Sequence, residues 1–342
     1  MTRKPPFNIT MEAADCLAKI VEAVTRLEFG TEWGRDIKLH RKNRVRSIHS
    51  SLAIEGNTLS LSEVAAVIGG KLVAGKQTEI KEVKNAYEAY DKAMAFNPYA
   101  IKDFLKAHKL MTDGLVKESG KFRSGDVGVF DGGVAIHVGA RPQFVHGLIA
   151  ELFAWAKETD LHPVLKSAVL HYEIETIHPF ADGNGRMGRL WQTLLLAKWN
   201  PIFAWIPMES VVYEKRPEYY DALHAGQQTD NSSGFIEFTL SALLDSITVQ
   251  AKHQDELIAT QTSTQDEFGE KFGEKFGENQ TQAKILSLMR SNPKISAKAI
   301  GEAIGMTTRG VEKSIGLLKN IGAVERVGAA KGGHWVIKDT EM

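Results

Sequence analysis

The sequence predicts a mainly α-helical protein with one β-hairpin and a small C-terminal winged helix-turn-helix domain. Apolar residues recur at helical spacing through nearly all of the first 250 residues, which favours amphipathic helices. Around the Asp-Gly-Gly turn at residues 131–133, flanking β-branched residues are typical of a hairpin. From Gln280 onward the order is helix, short helix, a turn at Gly305, a third helix and two short strands, which indicates a winged helix.

Length and composition bound the architecture. At 342 residues the chain is long enough for about two domains and a sizeable core. Lys plus Arg and Asp plus Glu balance at 42 each, so the total charge does not require nucleic acid or an acidic surface as the main partner. The single cysteine, Cys16, excludes an internal disulfide, and the start lacks the apolar stretch of a signal peptide. We therefore expect a cytoplasmic protein, and no apolar stretch is long enough to predict a membrane span.

Composition along the chain predicts four segments. Residues 1–110 form an N-terminal helical region that includes a helix at about 36–56, and residues 111–250 form the central helical core. Residues 251–278 lose the large aliphatics and repeat EFGE-KFGE-KFGE, which is typical of a linker. The alternative for this segment is a short arm that docks on the body through its phenylalanines. The remaining residues, 279–342, form the winged-helix domain.

The most informative segment is HPFADGNGRMGR, residues 178–189. Pro179 and two close glycines cannot continue the preceding helix, so a loop is predicted that leads directly into a new helix. Such a turn presents free backbone N–H groups and the positive end of a helix dipole, which favours an anion such as phosphate. Arg186 and Arg189 lie three residues apart on one helix face, so both guanidinium groups can reach one polyphosphate.

Two further side chains complete this predicted anion site. Asp182 supplies a hard oxygen ligand of the kind that Mg²⁺ prefers. His178, at the mouth of the loop, is the nearby side chain suited to abstract a proton at neutral pH. The glycine spacing of the loop also fits the dinucleotide-binding fingerprint, but the loop follows a helix rather than a strand, so we discount that interpretation.

This segment resembles the motif of the Fic (filamentation induced by cAMP) family, HxFx(D/E)GNGRxxR, at every fixed position. The similarity extends over roughly residues 35–244. It implies a Fic helical bundle with a β-hairpin flap, in which residues 111–250 form the catalytic core. It also implies an enzyme, a protein adenylyltransferase that moves AMP from Mg·ATP to a hydroxyl side chain of an unidentified target protein.

The resemblance implies a role for each motif residue. His178 would deprotonate the target hydroxyl, which then attacks the α-phosphate as pyrophosphate departs, and Asp182 would hold Mg²⁺. Phe180 would anchor the loop in the core. The implied nucleotide-binding residues are Gly183, Asn184, Gly185, Arg186, Gly188, Arg189, Tyr219 and Tyr220.

A second segment, far upstream, bears on regulation. Ser51 and Glu55 lie four residues apart and share a helix face, and Gly56 is a natural C-cap. The helix dipole disfavours an anion in the last turn, so we expect the Glu55 carboxylate to be paired. The segment resembles the inhibitory motif (S/T)xxxE(G/N) of many Fic proteins. That resemblance implies Arg189 as the partner of Glu55 and autoinhibition in cis through misplacement of ATP.

The hairpin around Val129, Phe130 and Val134 resembles the flap of the same family. There a target segment adds as an extra strand, which would bring its hydroxyl to His178. Strand addition depends on main-chain hydrogen bonds rather than on side-chain identity, so the sequence does not name the target.

The C-terminal segment, residues 279–342, carries ten Lys and Arg against five Asp and Glu. Arg309, Lys313 and Lys319 lie on its third helix, which is compatible with phosphate contacts on DNA. Glu312 and several glycines dilute that face, so DNA binding and protein docking or homodimerisation both remain open. This segment leaves one alternative to adenylyl transfer, a DNA-binding regulator whose Fic body senses nucleotide.

The family resemblance implies a further alternative, a Fic enzyme that uses Glu55 to remove AMP from a modified target.

Overall fold

The structure is a computed structural model, and it describes residues 4–29, 37–131, 134–252, 280–320, 322–328 and 333–337. The chain divides into two compact units, Met1–Ala251 and Lys252–Met342. Nearly all of the predicted linker at 251–278 lies outside the described residues.

The first unit is mainly helical, as the sequence predicts, and one hairpin interrupts the helices. Its described helices are α1 (Met11–Phe29), α2 (Ile37–Ile54), α3 (Leu61–Ile68), α4 (Gln77–Ala93), α5 (Ile101–Thr112), α6 (Pro142–Glu158), α7 (Pro163–Ile177), α8 (Asn184–Trp199), α9 (Met208–Glu214), α10 (Arg216–Thr229) and α11 (233–252). A 3₁₀ turn, Pro201–Ala204, joins α8 to α9.

Helices α7 and α8 form the centre of this unit and pack closely against each other. Both are buried on nearly every face, so neither shows the one-sided apolar pattern of a surface helix. Around them α5 and α6 contribute Phe104 and Phe153, whose rings lie 5.4 Å apart. Trp191 of α8 and Phe180 from the loop before it pack on Phe104 with ring centroids 4.9 Å and 5.1 Å away. Phe180 is fully buried, as expected for an anchor of that loop.

Helix α2 lies against α9, α3 and α4 and ends at Ile54. Gly56 follows with φ of 93°, a left-handed conformation that favours glycine and ends the helix where the sequence predicts. The next helix, α3, begins with a capping box in which Ser60 and Glu63 exchange side-chain and backbone hydrogen bonds. The end of α2 is therefore fixed by a sharp turn directly followed by a capped helix.

The predicted hairpin is formed by β1 (Gly128–Asp131) and β2 (Val134–Val138), which pair antiparallel. Its register shifts between Val129 and Phe130, the irregularity of a β-bulge. The turn residues 132 and 133 lie outside the described residues. The backbone of the three predicted flap residues, Val129, Phe130 and Val134, therefore lies in a two-stranded sheet.

The second unit contains α12 (Gln280–Ser291), α13 (Ala297–Ile304), α14 (Thr308–Asn320), β3 (Val324–Val327) and β4 (His334–Ile337). The two strands pair antiparallel. Gly305, at φ of 71°, makes the turn between α13 and α14. Trp335 closes the small core and donates from its indole N–H to the Ile295 carbonyl at 3.1 Å. The interpretation of this unit as a winged helix remains a prediction.

In the described part of the chain, no helix is both long and apolar enough to cross a bilayer.

Two glycines of the second unit make a matched pair for testing its packing. A Cβ on Gly301 of α13 would lie 2.5 Å from the Met306 carbonyl oxygen, whereas a Cβ on Gly316 of α14 would meet open space. We expect Gly301→Ala to destabilise this unit by about 1–3 kcal/mol through overpacking. Gly316→Ala should stabilise it by about 0.5–1 kcal/mol because alanine favours the helix. Amide hydrogen exchange of α12 to α14 measures both changes in stability. Equal protection in the two variants would contradict the close packing of Gly301 against Met306.

Candidate active site

The loop between α7 and α8 carries the motif residues. Its first residue, His178, ends α7 in a left-handed conformation with φ of 52°, and its last, Gly183, precedes α8 with φ of 86°. A glycine adopts the second conformation without strain. It is also packed closely, since a Cβ on Gly183 would lie 3.1 Å from the Thr112 side chain. The loop reverses direction in a few residues and delivers the chain to the N-terminus of α8.

Asn184, at the start of α8, closes this loop. Its side-chain oxygen accepts from the Phe180 backbone N–H at 2.9 Å, and its side-chain amide donates to the Phe180 carbonyl at 2.9 Å. The residue is buried. Both polar atoms of its side chain bond to the loop backbone, so the side chain fixes the shape of the loop. That Asn184 also lines the anion site stays a prediction.

His178 is oriented by a backbone contact. Its ring Nδ1 lies 3.2 Å from the Glu175 carbonyl oxygen, which can only accept a hydrogen bond. Nδ1 therefore carries the proton, and Nε2 keeps its lone pair. The side chain is partly exposed. Among the predicted site residues, His178 is thus placed and tautomerically suited to accept a proton from a group outside the protein.

Arg123 joins the hairpin to the motif loop, a role that the sequence did not reveal. Its Nε donates to the His178 carbonyl at 2.7 Å, and its backbone N–H donates to the Pro179 carbonyl at 3.0 Å. The other guanidinium nitrogens donate to the carbonyls of Gly125 and Ala140, which lie just before β1 and just after β2. The buried guanidinium therefore fixes the open end of the hairpin beside His178. Arg123 lies in the segment GKFRSG, within the region from roughly residue 35 to residue 244 that resembles the family.

The N-terminus of α8 presents hydrogen-bond donors that have no acceptor in the described structure. Gly183 at the N-cap offers no side chain to cap the first N–H groups. Arg186 and Arg189, on the first two turns, are both buried. Arg186 has no hydrogen-bond partner for Nε or Nη1, and Arg189 has none for Nη1, within the described structure. Buried guanidinium donors without acceptors are costly, so this helix end is suited to an anion with several oxygens.

Acidic groups approach Arg186 from two sides. Its Nη2 lies 3.1 Å from an Asp182 carboxylate oxygen, and its Nη1 lies 3.6 Å from Glu82 of α4. The Asp182 side chain is 57% exposed, so it also faces the space outside the loop. Across the described ranges, no group of three or more His, Cys, Asp or Glu could hold a metal. A single carboxylate such as that of Asp182 is nevertheless sufficient for Mg²⁺, because this ion usually takes one or two carboxylates and completes its shell with phosphate oxygens and water.

Glu55 and Arg189 form an ion pair, with Nη2 of Arg189 at 2.6 Å from a Glu55 oxygen. The same guanidinium donates from Nη2 to the Ser51 carbonyl at 2.9 Å and from Nε to the Ser51 hydroxyl at 3.2 Å. The Glu55 carboxylate also lies against Gly185, where an added Cβ would clash with it. The structure therefore brings Glu55 together with Arg189, its predicted partner, and with Ser51 at the start of α8.

The ion pair is asymmetric in its exposure. The Arg189 side chain is completely buried, whereas Glu55 is 34% exposed. Burial alone would lower the pKa of Arg189, but the adjacent Glu55 carboxylate outweighs it and raises the pKa above its ordinary value. Arg189 is thus a permanently charged, buried group, and Glu55 covers it from the solvent side.

Three predicted nucleotide-binding residues are placed differently from one another. Gly188 faces α7, where an added Cβ would lie 2.6 Å from His171 and 2.9 Å from Glu175, so it allows close helix packing. Tyr219 is buried, and its hydroxyl lies 3.1 Å from His171. Tyr220 alone is partly exposed, with its hydroxyl 3.5 Å from the Ile54 carbonyl. Tyr220 therefore lies beside the Glu55 end of α2, and buried Tyr219 is close enough to Glu55 and Arg189 for their charges to act on its pKa.

His108 of α5 contacts two residues of the motif loop and holds the loop in place. Its ring stacks on Phe180 with centroids 3.7 Å apart and planes within 5°. Nδ1 accepts from the Gly120 backbone N–H at 3.0 Å, so Nε2 carries the proton and donates to the Asp182 carbonyl at 3.0 Å. Burial lowers the pKa of His108 to about 4. The imidazole therefore stays neutral at neutral pH.

Because His108 is neutral in the folded protein, the free energy of unfolding should decrease in acid. Between an unfolded pKa of about 6.5 and the folded pKa of about 4, the unfolded chain binds more protons, so stability decreases as the pH drops. From pH 7 to pH 5 we expect a loss of about 2 kcal/mol that His108→Gln no longer shows. Urea denaturation at both pH values measures it, with His146→Gln on the exposed face of α6 as the control. An equal acid loss in the wild type and His108→Gln would contradict the assignment.

Comparison with known proteins agrees with this geometry. The profile of the Fic/DOC family matches residues 98–196, which span α5 to α8. The curated relatives include a protein adenylyltransferase Fic from Nematostella vectensis, 31% identical over 220 residues, which covers 59% of this chain and 49% of the relative. Protein adenylyltransferase fic-1 from Caenorhabditis briggsae is 28% identical over 212 residues, 56% of this chain and 38% of the relative. The chain spans between about two fifths and half of the length of these curated relatives.

Solved structures extend the similarity over the whole chain. Fic-1 from Caenorhabditis elegans, at 23% identity and a TM-score of 0.58, covers 73% of each chain and shows the fold. A crystal structure of a Fic family protein from Desulfovibrio desulfuricans G20 matches with a TM-score of 0.71 and 33% identity. That match covers 99% of this chain and 100% of the other. With the motif loop, the hairpin and the helical bundle in place, the chain therefore belongs to the Fic/DOC family.

Proposed function

We propose that this protein transfers AMP from Mg·ATP to a hydroxyl side chain of a target protein and that Glu55 inhibits the transfer in cis. The observation that carries the proposal is the pair of buried arginines with unused donors at the uncapped start of α8, next to the free Nε2 of His178. The names of the curated relatives, protein adenylyltransferases, support the same reaction.

The phosphates would lie across the start of α8. Gly183 leaves the first N–H groups of α8 without a side-chain cap, and Gly185 lies against the Glu55 carboxylate, where an anion would replace it. Arg186 and Arg189 have donors to give to the β- and γ-phosphates. Asp182 would hold Mg²⁺, which when bound would neutralise phosphate charge. Phosphoryl chemistry depends mainly on such positioning and charge neutralisation, so this anion site is the core of the proposed activity.

His178 would act as the general base. Its Nε2 would take the proton of the target hydroxyl while the hydroxyl oxygen bonds to the α-phosphorus of ATP. The bond from that phosphorus to the bridging oxygen breaks, and pyrophosphate leaves with the electron pair. The contact of Nδ1 with the Glu175 carbonyl keeps the tautomer that this step needs.

Glu55 would inhibit by competing with a phosphate. It holds Nη2 of Arg189 at 2.6 Å and lies directly on Gly185, in the space where the end of a triphosphate would be bound. A nucleotide that enters beside Glu55 would lack the Arg189 contact, and its α-phosphorus would be displaced from His178. A mutation that removes the carboxylate should therefore activate the enzyme.

The hairpin would receive the target. Arg123 ties its open end to His178, so a peptide that pairs with a hairpin strand would pass close to the imidazole. An open polar cleft of about 660 Å³ lies at this end of the hairpin. It is lined by Ser124, Gly125, Asp126, Arg141, Pro142 and Gln143.

The second candidate is hydrolysis of a modified target, in which water activated by Glu55 attacks the phosphorus and AMP and the free hydroxyl are released. The observation that favours it is the partial exposure of the Glu55 side chain above the start of α8. In the described structure, however, one Glu55 oxygen is engaged by Arg189, which favours the inhibitory role. Incubation of a pre-modified target with the wild type and Glu55→Gln separates the two functions.

The second unit is proposed to be a winged helix that docks a partner. Its third helix, α14, exposes Arg309 and Lys313, but Glu312 is exposed between them. The charge pattern therefore supports both DNA phosphates and an acidic protein surface, including a second copy of this chain. A gel shift with mixed-sequence DNA and sedimentation of the protein alone separate these partners.

Removal of Glu55 should release the activity. With ATP labelled at the α-phosphate, we expect Glu55→Gly to increase incorporation into protein relative to the wild type, because Arg189 becomes free to bind phosphate. Adding His178→Ala should reduce that incorporation by roughly 10²- to 10⁴-fold through loss of the base. Electrophoresis of cell lysate incubated with each variant measures the label.

The label position and one control decide the outcome. Glu12→Gly on the exposed first turn of α1 should behave as the wild type. Incorporation from γ-labelled ATP alone would indicate a kinase and overturn adenylyl transfer. Equal labelling by Glu55→Gly and the wild type would overturn the inhibitory role of Glu55.

A further inference from the structure

The buried face of α2 is unusually polar for a packed helix. Between its start and the inhibitory Glu55, this helix buries a set of polar side chains at helical spacing, namely His40, Asn43, Ser47, Ser50 and Ser51. Buried polar groups are tolerated only where they find hydrogen-bond partners. The partners of this face therefore determine how α2 is positioned.

The central partner is Glu209, the second residue of α9. Its carboxylate is completely buried, with 0% exposure. One oxygen accepts from the Ser47 hydroxyl at 2.8 Å, and the other accepts from the Tyr90 hydroxyl at 2.9 Å. Thr193 adds a longer contact at 3.4 Å. Three hydroxyl groups from α2, α4 and α8 thus converge on one carboxylate, which can only accept hydrogen bonds while it is ionised.

The positions of these partners relate Glu209 to the inhibitory contact. Ser47 lies one helical turn before Ser51 on α2, and Thr193 lies one turn after Arg189 on α8. Ser51 and Arg189 contact each other directly through two hydrogen bonds. Glu209 therefore holds both helices one turn away from the place where α2 meets the guanidinium.

Tyr90 connects the same carboxylate to α4. Its hydroxyl donates to Glu209 at 2.9 Å. Burial raises the pKa of Tyr90 well above its ordinary value, so the hydroxyl keeps its proton, while the charge of Arg189 acts on this pKa in the opposite direction. Tyr90 therefore holds α4 on the carboxylate that also holds α2 and α8.

A nearby cation offsets the buried charge of Glu209. Arg44 of α2 lies over the Tyr90 ring at 5.7 Å and over the Trp205 ring at 4.9 Å. Burial lowers the pKa of Arg44, and Tyr90 and Glu209 oppose that shift. Because Arg44 belongs to α2, it strengthens the attachment of the inhibitory helix to the same buried cluster.

We propose that Glu209, through Ser47, Tyr90 and Thr193, is a positioning residue that fixes α2 against α8 and thereby orients the guanidinium of Arg189. The inference rests on the proposed function, because Arg189 has two duties in it. In the inhibited protein the orientation serves the contact with Glu55. In the active protein it serves the contact with the terminal phosphate of ATP.

Because Arg189 contacts Glu55 in one state and ATP in the other, a weaker Glu209 contact should raise activity in the otherwise wild-type protein and lower it in the Glu55→Gly variant. Tyr90→Phe removes one hydroxyl and keeps the ring, so it weakens the connection with little change in packing. In the otherwise wild-type protein, we expect incorporation of the α-phosphate label to rise about 3- to 10-fold, the size of one net hydrogen bond. In the Glu55→Gly background, we expect KM for ATP to rise about 3- to 10-fold with kcat nearly unchanged, because binding of the ground state and transition state is weakened equally.

Glu209→Gln tests the carboxylate itself. An amide cannot accept from hydroxyls at both of its polar atoms, so the same two opposite effects are expected. Matched controls are Tyr99→Phe, two residues before α5, and Glu237→Gln, whose carboxylate accepts from the Thr10 hydroxyl near the N-terminus of the chain. Neither control should change incorporation or KM for ATP.

Other patterns of activity would overturn the proposal. Loss of activity in both backgrounds would mean that Tyr90 and Glu209 only support folding. Activation of the wild type with no change in KM in the Glu55→Gly background would mean that they hold α2 but do not orient Arg189.

A measurement without catalysis separates this proposal from the proposed function. Amide hydrogen exchange of residues 47–55 should be faster in Tyr90→Phe and Glu209→Gln than in the two controls. Unchanged exchange would overturn the proposal even if Glu55→Gly is highly active. Faster exchange together with an unlabelled Glu55→Gly protein would retain the positioning of α2 and reject adenylyl transfer.

Discussion

The burial of two guanidinium groups at the start of α8 is the constraint on which the rest of the site depends. A buried cation must find acceptors, and Arg186 and Arg189 take theirs from four different parts of the chain: the motif loop, α2, the turn that follows α2, and α4. Several donors nevertheless stay without a partner. The protein therefore holds an incompletely satisfied positive site at a helix N-terminus, and His178, the hairpin and Glu55 are all arranged around it.

Much of this site could be predicted from sequence because the relevant spacing is local. Pro179 and the glycines at 183 and 185 force a loop and then permit a helix start, whatever surrounds them. The interval between Arg186 and Arg189 places both on one helix face. The expected end of α2 is also local, since Gly56 adopts the left-handed conformation in the structure. The pairing of Glu55 with Arg189 spans 134 residues and followed from family resemblance rather than from spacing.

The features that sequence did not reveal depend on packing between distant elements. Arg123, His108 and Glu209 are ordinary residues in their own segments, and each becomes important only when another helix or loop is brought against it. The same cause explains the contacts of Asn184 and Gly188, which belong to the motif and also pack on the loop backbone and on α7. A motif thus identifies a set of residues, while the tertiary fold distributes their duties between binding, closure and packing.

Glu55 and Arg189 are unequally exposed in their ion pair, and this difference limits what can replace Glu55. Arg189 has no contact with bulk water, so dissolved salt cannot easily screen its charge, and a neutral ligand offers nothing to its donors. A successful competitor must carry oxygen acceptors into the protein interior and must be narrow enough to pass between Gly185 and the last turn of α2. The ion pair therefore selects, as a replacement for Glu55, an anion of suitable charge and shape rather than a neutral molecule.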